Sequence, residues 1–187
     1  DVLNVGTVSD GTIGLAKLSA TGTQDATTFL RGDNTFASAG GANTPAFHAY
    51  KTTDQSVTTS TTTKVVLSTE LFDTDSCFDN ATNYRFTPTT AGKYFIYGQI
   101  YPDGSSYPSA WSISIWKNGS IIAGKFFYSS ETSQYGTISI SSIIELNGST
   151  DYVELYGRCT QAGSPFFTGG QSNQFFGGYK IIESEPV

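Results

Sequence analysis

Basic residues are few in this 187-residue sequence: Lys and Arg together number 10, against 16 Asp and Glu, for a formal net charge of −6. They are scattered singly along the chain, so no basic patch is present. Proteins that bind nucleic acid obtain much of their affinity from clustered cations, which release counterions from the phosphate backbone. We therefore expect no nucleic-acid partner.

Long hydrophobic runs are also missing. No apolar stretch approaches the roughly 20 residues that a helix needs to span a bilayer, and the first residues lack the charged and then apolar pattern of a signal peptide. We expect no membrane insertion. Because the sequence begins with Asp1 rather than Met, we interpret it as a mature product or as the C-terminal part of a longer protein.

Cysteine is scarce, and its positions match no metal-binding motif. Cys77 and Cys159 form no CxxC or Cys/His cluster, so we expect neither a zinc site nor a cofactor. Cys159 follows Val153 and Leu155 on one strand face, which favours a buried free thiol. A disulfide between Cys77 and Cys159 is the alternative, since the sequence does not show how closely their Cβ atoms approach.

Catalytic motifs are lacking too. The single histidine, His48, falls on the outward side of the first predicted strand with no nucleophile motif beside it. No recognisable pair of catalytic carboxylates occurs, so the sequence does not predict an enzyme. Asp73, Asp75 and Asp79 form the densest acidic group, and alternate acids in a loop can hold calcium. The Gly and Glu positions of an EF-hand are absent, so a solvated turn is the favoured interpretation and no metal is expected.

What the sequence has in abundance is the chemistry of strands and turns. Phe and Tyr number 13 and 11, Gly numbers 20, and Thr and Ser recur throughout. Alternating apolar and polar residues meet the pair Asn118-Gly119, which is typical of a type I′ hairpin turn. Strands are predicted at residues 46–51, 63–67, 84–87, 93–101, 110–117, 120–127, 135–146, 152–159 and 174–182. The pattern predicts an all-β, antiparallel β-sandwich with almost no helix.

The sequence divides near residue 44. Residues 1–44 are mostly Gly, Thr, Ser, Ala and Asp with isolated apolar residues, among them Phe29 and Leu30. Such spacing cannot close a core within one chain, but it is too apolar for a solvated linker. We expect an extended neck or shaft in which several copies wrap together, with a flexible leader as the alternative. A Gly- and Ala-rich hinge then leads into a compact domain at residues 45–187.

Alternation separates two kinds of strand in the compact domain. Trp111 and Ile113 share one face of their strand and Ser112 and Ser114 the other, so this strand has a core side and a wet side. The strands at 93–101 and 174–182 are instead apolar or aromatic on both faces. Another copy of the chain is the simplest cover for the second face, and we expect these strands to be neighbours in one sheet. The predicted interface residues are Tyr97, Tyr101, Phe176 and Tyr179.

Several short motifs occur in order between residues 45 and 183. They are Pro45-Ala46-Phe47, Phe72-Asp73 and the runs at 80–86, 88–95, 112–119 and 176–181. Together they resemble the C1q/TNF-like domain, a jelly-roll β-sandwich of about ten antiparallel strands that assembles as a trimer. The resemblance implies a trimeric jelly-roll head. The collagen repeat that precedes this domain in animal complement proteins is absent here.

Two segments of the neck, at residues 10–20 and 26–37, resemble the neck repeats of bacteriophage tail and head fibres. In those proteins such a segment precedes a trimeric C-terminal tip. The resemblance implies localisation on a virion and contact with other virion proteins through the N-terminal neck. It does not identify which fibre the chain belongs to.

Three predicted loops, at residues 103–108, 129–135 and 161–173, combine aromatic or amide side chains with Gly and Ser. Aromatic rings stack on sugar faces, and polar side chains hydrogen-bond sugar hydroxyls. The candidate ligand-binding residues are Asp103, Tyr107, Glu131, Gln134, Tyr135, Phe166, Phe167 and Gln171. The alternative is a set of ordinary solvated loops whose aromatic residues fold back on the core. Weak sites would suffice in a trimer displayed in many copies, because avidity multiplies affinity.

These observations lead to the hypothesis that the chain is the trimeric C-terminal tip of a bacteriophage virion fibre, an adhesin for a host-surface glycan or protein. Two alternatives stay open. One is a capsid or head-fibre decoration protein that trimerises without a dedicated receptor, and the other is a secreted C1q/TNF-like ligand for a protein receptor. A polysaccharide depolymerase is disfavoured because the domain is short and no acid pair is evident.

Overall fold

The computed structural model describes residues 21–23, 25, 28–38, 43–129 and 136–181. The regular elements in these ranges are strands, and no helix there is long and apolar enough to span a membrane. In chain order they are β1 (Thr28–Leu30), β2 (Phe36–Ser38), β3 (Ala46–Tyr50), β4 (Gln55–Ser56), β5 (Thr63–Lys64), β6 (Thr69–Asp73), β7 (Phe78–Asp79), β8 (Arg85–Phe86), β9 (Ala91–Ile100), β10 (Pro102–Gly104), β11 (Ala110–Lys117), β12 (Ser120–Tyr128), β13 (Ile138–Asn147), β14 (Val153–Thr160), β15 (Pro165–Phe167) and β16 (Phe175–Lys180).

The chain divides into two compact units, residues 1–42 and 43–187. The described part of the first unit contains β1 and β2, an antiparallel pair in which Phe29 lies opposite Ala37. In the turn between them, Asp33 accepts hydrogen bonds from the backbone N–H and the hydroxyl of Thr35. The side chains of Phe29 and Leu30 are exposed, so this hairpin leaves apolar surface uncovered within one chain.

The second unit is a jelly-roll β-sandwich with two main sheets, which confirms the predicted fold class. The five-stranded sheet has the order β13-β9-β16-β3-β6. The six-stranded sheet has the order β12-β11-β14-β8-β7, and β5 also pairs with β14. A small third sheet has the order β10-β15-β4. The expected neighbours β9 and β16 pair antiparallel, with Gly177 opposite Tyr97.

The hydrophobic core lies between the two main sheets and follows the alternation along each strand. On β11, Trp111, Ile113 and Ile115 are buried, whereas Ser112 and Ser114 face outward, as predicted. Successive side chains of a strand point to opposite faces, so a single strand supplies both a core surface and an outer surface. The same division therefore sets what each sheet presents to solvent.

Stacked aromatic rings fill the centre of the core. Phe47 stacks on Phe78 and Phe86 with ring centroids 4.9 and 4.4 Å apart. Phe176 meets Phe47 edge to face at 5.1 Å. These are the offset and T-shaped geometries that aromatic pairs prefer, and at native packing density the neighbours cannot fill the space of a deleted ring. We therefore expect these rings to carry a large share of the stability of the sandwich.

The hairpin between β11 and β12 turns where the sequence predicts. Asn118 and Gly119 have φ angles of 50° and 78°, the left-handed values that a type I′ turn requires. The Asn118 amide donates to Asp151 Oδ1 at 2.7 Å and accepts from the backbone N–H of Tyr152 at 3.0 Å. Lys117 Nζ lies 2.8 Å from Asp151 Oδ2. The turn is thus joined to the start of β14.

Both cysteines are buried free thiols. Full burial of Cys159 confirms the favoured interpretation and raises the pKa of its thiol to about 11. Burial raises the pKa of the Cys77 thiol as well. The alternative disulfide is not formed. Because the thiolate is the reactive species, protonated and inaccessible thiols of this kind are inert.

The carboxylates of Asp73 and Asp79 accept hydrogen bonds from the backbone of the turns that follow them. Asp73 accepts hydrogen bonds from the backbone N–H groups of Cys77 and Phe78 at 3.1 and 2.8 Å. Hydrogen bonds from the backbone of Thr82 and its neighbours hold the pKa of Asp79 at about 2. Over the described ranges, no group of three or more His, Cys, Asp or Glu side chains is placed to hold a metal ion.

The structure also contains strands that alternation does not predict. In β6, His48 pairs with Phe72 and Ala49 with Glu70, so Leu71 is an extra residue. A bulge of this kind breaks the two-residue period on which strand prediction depends. Two further differences concern short strands. The predicted strand at 63–67 is longer than β5, and β4, β10 and β15 of the small sheet are not predicted. Strands of two or three residues are too short to show a period of two.

Candidate binding surfaces

The outer face of the five-stranded sheet is covered with aromatic side chains. Its strands place one set of residues in the core and the alternate set outward, and here the outward set is aromatic as well. We call this surface the aromatic face. It consists of His48, Phe72, Phe95, Tyr97, Phe175 and Tyr179.

A hydrogen bond crosses the middle of the aromatic face. Tyr97, Gly177 and His48 lie side by side on β9, β16 and β3. The Tyr97 hydroxyl and His48 Nδ1 share a hydrogen bond of 3.0 Å that passes over Gly177. A side chain at Gly177 would collide with the Tyr97 ring, so glycine is what permits this contact.

The rings of the aromatic face pack on one another within a single chain. The His48 and Phe175 centroids are 5.4 Å apart, Tyr97 and Phe175 are 6.2 Å apart, and Phe95 and Tyr179 are 5.6 Å apart. Burial lowers the pKa of the His48 imidazole below its usual 6.5. Burial, reinforced by the nearby Tyr179, raises the pKa of Tyr97. The centre of the face is therefore uncharged at neutral pH.

The aromatic face is nevertheless open to solvent in one chain. Phe72 is 45% exposed and Tyr179 is 40% exposed. Beside them, Tyr97 and Phe175 form a shallow depression of about 270 Å³ together with Ser139 and Ser141 of β13. A surface of this size and composition is typical of an interaction site rather than of a solvated sheet.

A second apolar surface lies on a different part of the sandwich. The strands β12 and β13 stand at the ends of the two main sheets, in contact with each other. We call the surface formed by Ile122 and Phe127 of β12 the free edge. Phe127 is 42% exposed although it stacks on Trp111 at 4.5 Å, and Ile122 is 43% exposed. An apolar edge strand is a site where further chains pack.

The predicted interface residues are divided by the strand register. Tyr97 and Tyr179 lie on the aromatic face, and Tyr101 is half-buried just beyond β9. The assignment of Phe176 was wrong, because its side chain is fully buried in the core and packs on Phe47. Its neighbour Phe175 is the residue that points outward. Aromatic residues on both parities of β16 cannot be told apart until the pairing with β9 is known.

Sequence reasoning also missed His48, Phe72 and Phe95 as members of the aromatic face. The outward parity of His48 was a usable signal, and the structure places it there. Its neighbours come from β6, β9 and β16, which are distant in sequence. Only the sheet order brings them together.

The predicted ligand-binding loops meet in part. Asp103 and Phe166 are cross-strand partners in the small sheet, and Asp103 Oδ1 accepts a hydrogen bond from the Gly104 N–H at 2.6 Å. Tyr107 is 45% exposed, and Gln171 is exposed as well. Tyr107 and Gln171 lie in the connections that follow β10 and β15, outside the paired strands.

Two groups of the loop residues need separate mention. Phe167 was wrongly assigned to ligand binding, because it is fully buried and its ring lies directly over Gly157 of β14. For Phe167, the alternative interpretation is therefore correct: the aromatic side chain of the loop folds back on the core. The remaining candidates, Glu131, Gln134 and Tyr135, lie outside the described residues.

Solved structures share this fold at low sequence identity. Murine APRIL at pH 5.0 matches with a TM-score of 0.55 and 12% identity, over 73% of this chain and 98% of that chain. Eiger TNF from S. frugiperda matches with a TM-score of 0.52 and 16% identity, over 75% of this chain and 94% of that chain. The chain matches no protein-family model and no curated protein sequence. The likeness shows a TNF-like jelly-roll fold.

Proposed function

We propose that the chain is the trimeric, C-terminal head of a bacteriophage virion fibre and that it binds a host-surface glycan or protein. The observation that carries the proposal is the presence of two unlike apolar surfaces on one sandwich, the aromatic face and the free edge. In the proposed trimer, the free edge of each protomer packs on the aromatic face of the next. The activity is binding and not catalysis.

Two unlike surfaces on one chain favour a closed ring. A contact between different patches is heterologous, and it leaves one patch of each kind unsatisfied unless the rotation closes. The resemblance to C1q/TNF-like domains supports three as the number of protomers. Phe95, Tyr97 and Phe175 would then be buried at the interface, where aromatic residues contribute most of the binding free energy.

The neck provides the second part of the proposal. The described hairpin of the first unit leaves Phe29 and Leu30 exposed, and three parallel copies would cover them. The resemblance of residues 10–20 and 26–37 to phage fibre necks supports a head that is carried on a virion and joined to other virion proteins through that neck. A head of this kind would display three copies of each surface loop, and avidity would strengthen weak single sites.

Assembly is tested by sedimentation of the full chain. We expect the wild-type chain to sediment as a trimer and Tyr97→Lys to sediment as a monomer, because a charge would be placed in an apolar interface. Tyr107→Lys is the control, since it introduces the same charge at an exposed loop tyrosine outside the aromatic face. A wild-type chain that remains a monomer at micromolar concentration would refute the trimer.

The site on the particle and the receptor are tested separately. Immunogold labelling of virions should place the protein at the end of a fibre. Labelled wild-type trimer should adhere to host cells, and Tyr107→Ala or Phe166→Ala should reduce adhesion without changing sedimentation. Normal adhesion by phage that lack this head would favour the decoration protein instead.

A secreted ligand for a protein receptor is the second candidate. The observation that favours it is the likeness of the fold to APRIL and to a TNF protein. The two candidates differ in where the protein is found. Recovery of the chain from purified virions supports the fibre head, whereas secretion by an animal cell with glycan on Asn80 supports the ligand.

A further inference from the structure

The outer face of the six-stranded sheet carries a groove of about 540 Å³. It lies on the side of the sandwich opposite the aromatic face, since Ser112 and Ser114 of β11 point outward from the core. We call it the serine groove. Its lining includes Ser60, Thr62, Ser112, Ser114, Phe126 and Arg158.

The floor of the serine groove is made of small residues. Ser114 lies opposite Gly124 of β12, so no side chain from β12 fills the space beside its hydroxyl. The two hydroxyls are about 7 Å apart, because each residue of a strand rises by about 3.4 Å. The Trp116 indole N–H donates to Ser114 Oγ at 2.9 Å, which holds that hydroxyl in place.

One wall pairs an aromatic ring with a cation. Phe126 is 47% exposed, and the Arg158 guanidinium carbon lies 5.8 Å from the centre of its ring. Arg158 Nε donates to the Ser60 carbonyl at 2.8 Å. Within the described part of the chain, this is the one hydrogen bond that the Arg158 side chain donates. The guanidinium is therefore held in place with its terminal nitrogens available to a ligand.

The charge of the groove is opposite to that of the whole chain. Arg158 supplies the positive charge of the groove, and none of the described lining residues is acidic. Lys125 lies opposite Ile113, so its side chain belongs to the other face of the sheet. The nearby Glu154 is neutralised by Lys64, with 2.6 Å between Nζ and Oε1. A cation without a counter-charge, in a chain of net charge −6, makes this groove a local site for an anion.

The ligand must bond to side chains, because the backbone groups of β11 are engaged in ladders with β12 and β14. A peptide strand would need a free sheet edge instead. Serine hydroxyls on the floor, an exposed ring for stacking and a fixed guanidinium together match a polyhydroxyl compound with one negative group. We propose that the serine groove binds a saccharide that carries a carboxylate. This deepens the proposed adhesive function but requires only one protomer.

The experiment is a titration of the full chain, followed by calorimetry or NMR, with two acidic saccharides and their neutral counterparts. The probes are sialyllactose with lactose, and a hyaluronan tetrasaccharide with chitotetraose. We expect binding to one or both acidic probes and at least about tenfold weaker binding to the neutral partner. Loss of the charge-assisted hydrogen bond in Arg158→Gln should weaken binding by about tenfold to a hundredfold.

The matched control is Arg85→Gln. Arg85 belongs to the same sheet and also lies over an aromatic ring, 4.4 Å from that of Tyr152, but it is outside the groove. It should bind the acidic probes like wild type. Phe126→Ala, at an exposed position, provides a second groove variant that removes the stacking ring and keeps the Arg158 guanidinium. It should weaken binding in the same direction.

Four outcomes would overturn the proposal: no binding of either acidic probe, equal binding of the neutral partners, unchanged binding by both groove variants, or inorganic sulfate binding as tightly as the saccharides. Failure of the proposed fibre function is distinguishable, because the monomeric Tyr97→Lys variant should keep the groove and bind the acidic probe. Adhesion to cells by Arg158→Gln with loss of saccharide binding supports the groove and places the cell receptor at another surface.

Discussion

The two outward faces of the sandwich are built by the same rule and have opposite properties. On the five-stranded sheet, the outward positions hold stacked rings around an uncharged histidine. On the six-stranded sheet, they hold Ser112 and Ser114 between aromatic residues and paired charges. Removing the first face from water costs little free energy, because its rings are apolar. The second face carries hydroxyl and charged groups that need hydrogen bonds from water or from a sugar. This difference supports the two proposals made above, assembly through the first face and ligand binding at the second.

The register between β9 and β16 turns Phe175 outward and Phe176 into the core, although the two residues are adjacent in the chain. Substituting each of them gives the sharpest test of the comparison. Phe176→Ala should lower the free energy of unfolding by about 3–5 kcal/mol, because it leaves a cavity in the core. Phe175→Ala should lower it much less in a single chain and should instead weaken assembly. Urea unfolding and sedimentation at two protein concentrations measure both. Equal losses of stability in the two variants would show that the faces are assigned wrongly.

The charged pair on the six-stranded sheet should give the next largest effect. Lys64→Met leaves the buried Glu154 without its cation and should cost about 3 kcal/mol of unfolding free energy. Replacing both residues, Lys64→Met with Glu154→Leu, should restore most of that loss, because no buried charge is then unpaired. Urea unfolding of the three chains is the measurement. A double variant as unstable as the single one would contradict the explanation.

The hydrogen bond across Gly177 should contribute less. Tyr97→Phe keeps the ring but leaves His48 Nδ1 without its partner, which should cost about 1 kcal/mol. Tyr101→Phe is the control, since it removes a hydroxyl from a half-buried tyrosine just beyond the same strand and should change stability very little. Thermal unfolding of both variants tests the contact. Equal effects would mean that the His48–Tyr97 bond adds nothing specific.

The smallest expected effect is a dependence on pH. Burial lowers the pKa of His48 in the native state, so the unfolded chain takes up the proton first as the pH falls through about 6.5, the usual value. The contribution of His48 to the free energy of unfolding should therefore be constant above neutral pH and should decrease in mildly acidic solution. The rings that face it, Phe72, Tyr97 and Phe175, carry no charge that would offset the loss. The melting temperature measured against pH should fall less in His48→Gln than in wild type.

Local patterns predicted much of the fold. The alternation of β11 correctly placed Trp111 and Ile113 in the core, and Asn118-Gly119 correctly marked the hairpin. Both features depend on residues within a few positions of each other, and the sequence displays such relations directly. The same reasoning noted Ser112 and Ser114 as a wet side without predicting a groove. That groove needs Phe126 and Arg158, and these come from neighbouring strands.

The sequence by itself determined that the chain forms an all-β sandwich, that Cys159 is buried, and that β9 and β16 carry more apolar surface than one core can cover. Only the tertiary structure decided that Phe175 and not Phe176 faces outward, that Phe167 belongs to the core, and that His48 meets Tyr97 over a glycine. The physical reason is that composition and alternation are properties of one strand. Register and sheet order arise from contacts between residues far apart in the chain, and they select which of two similar faces meets water.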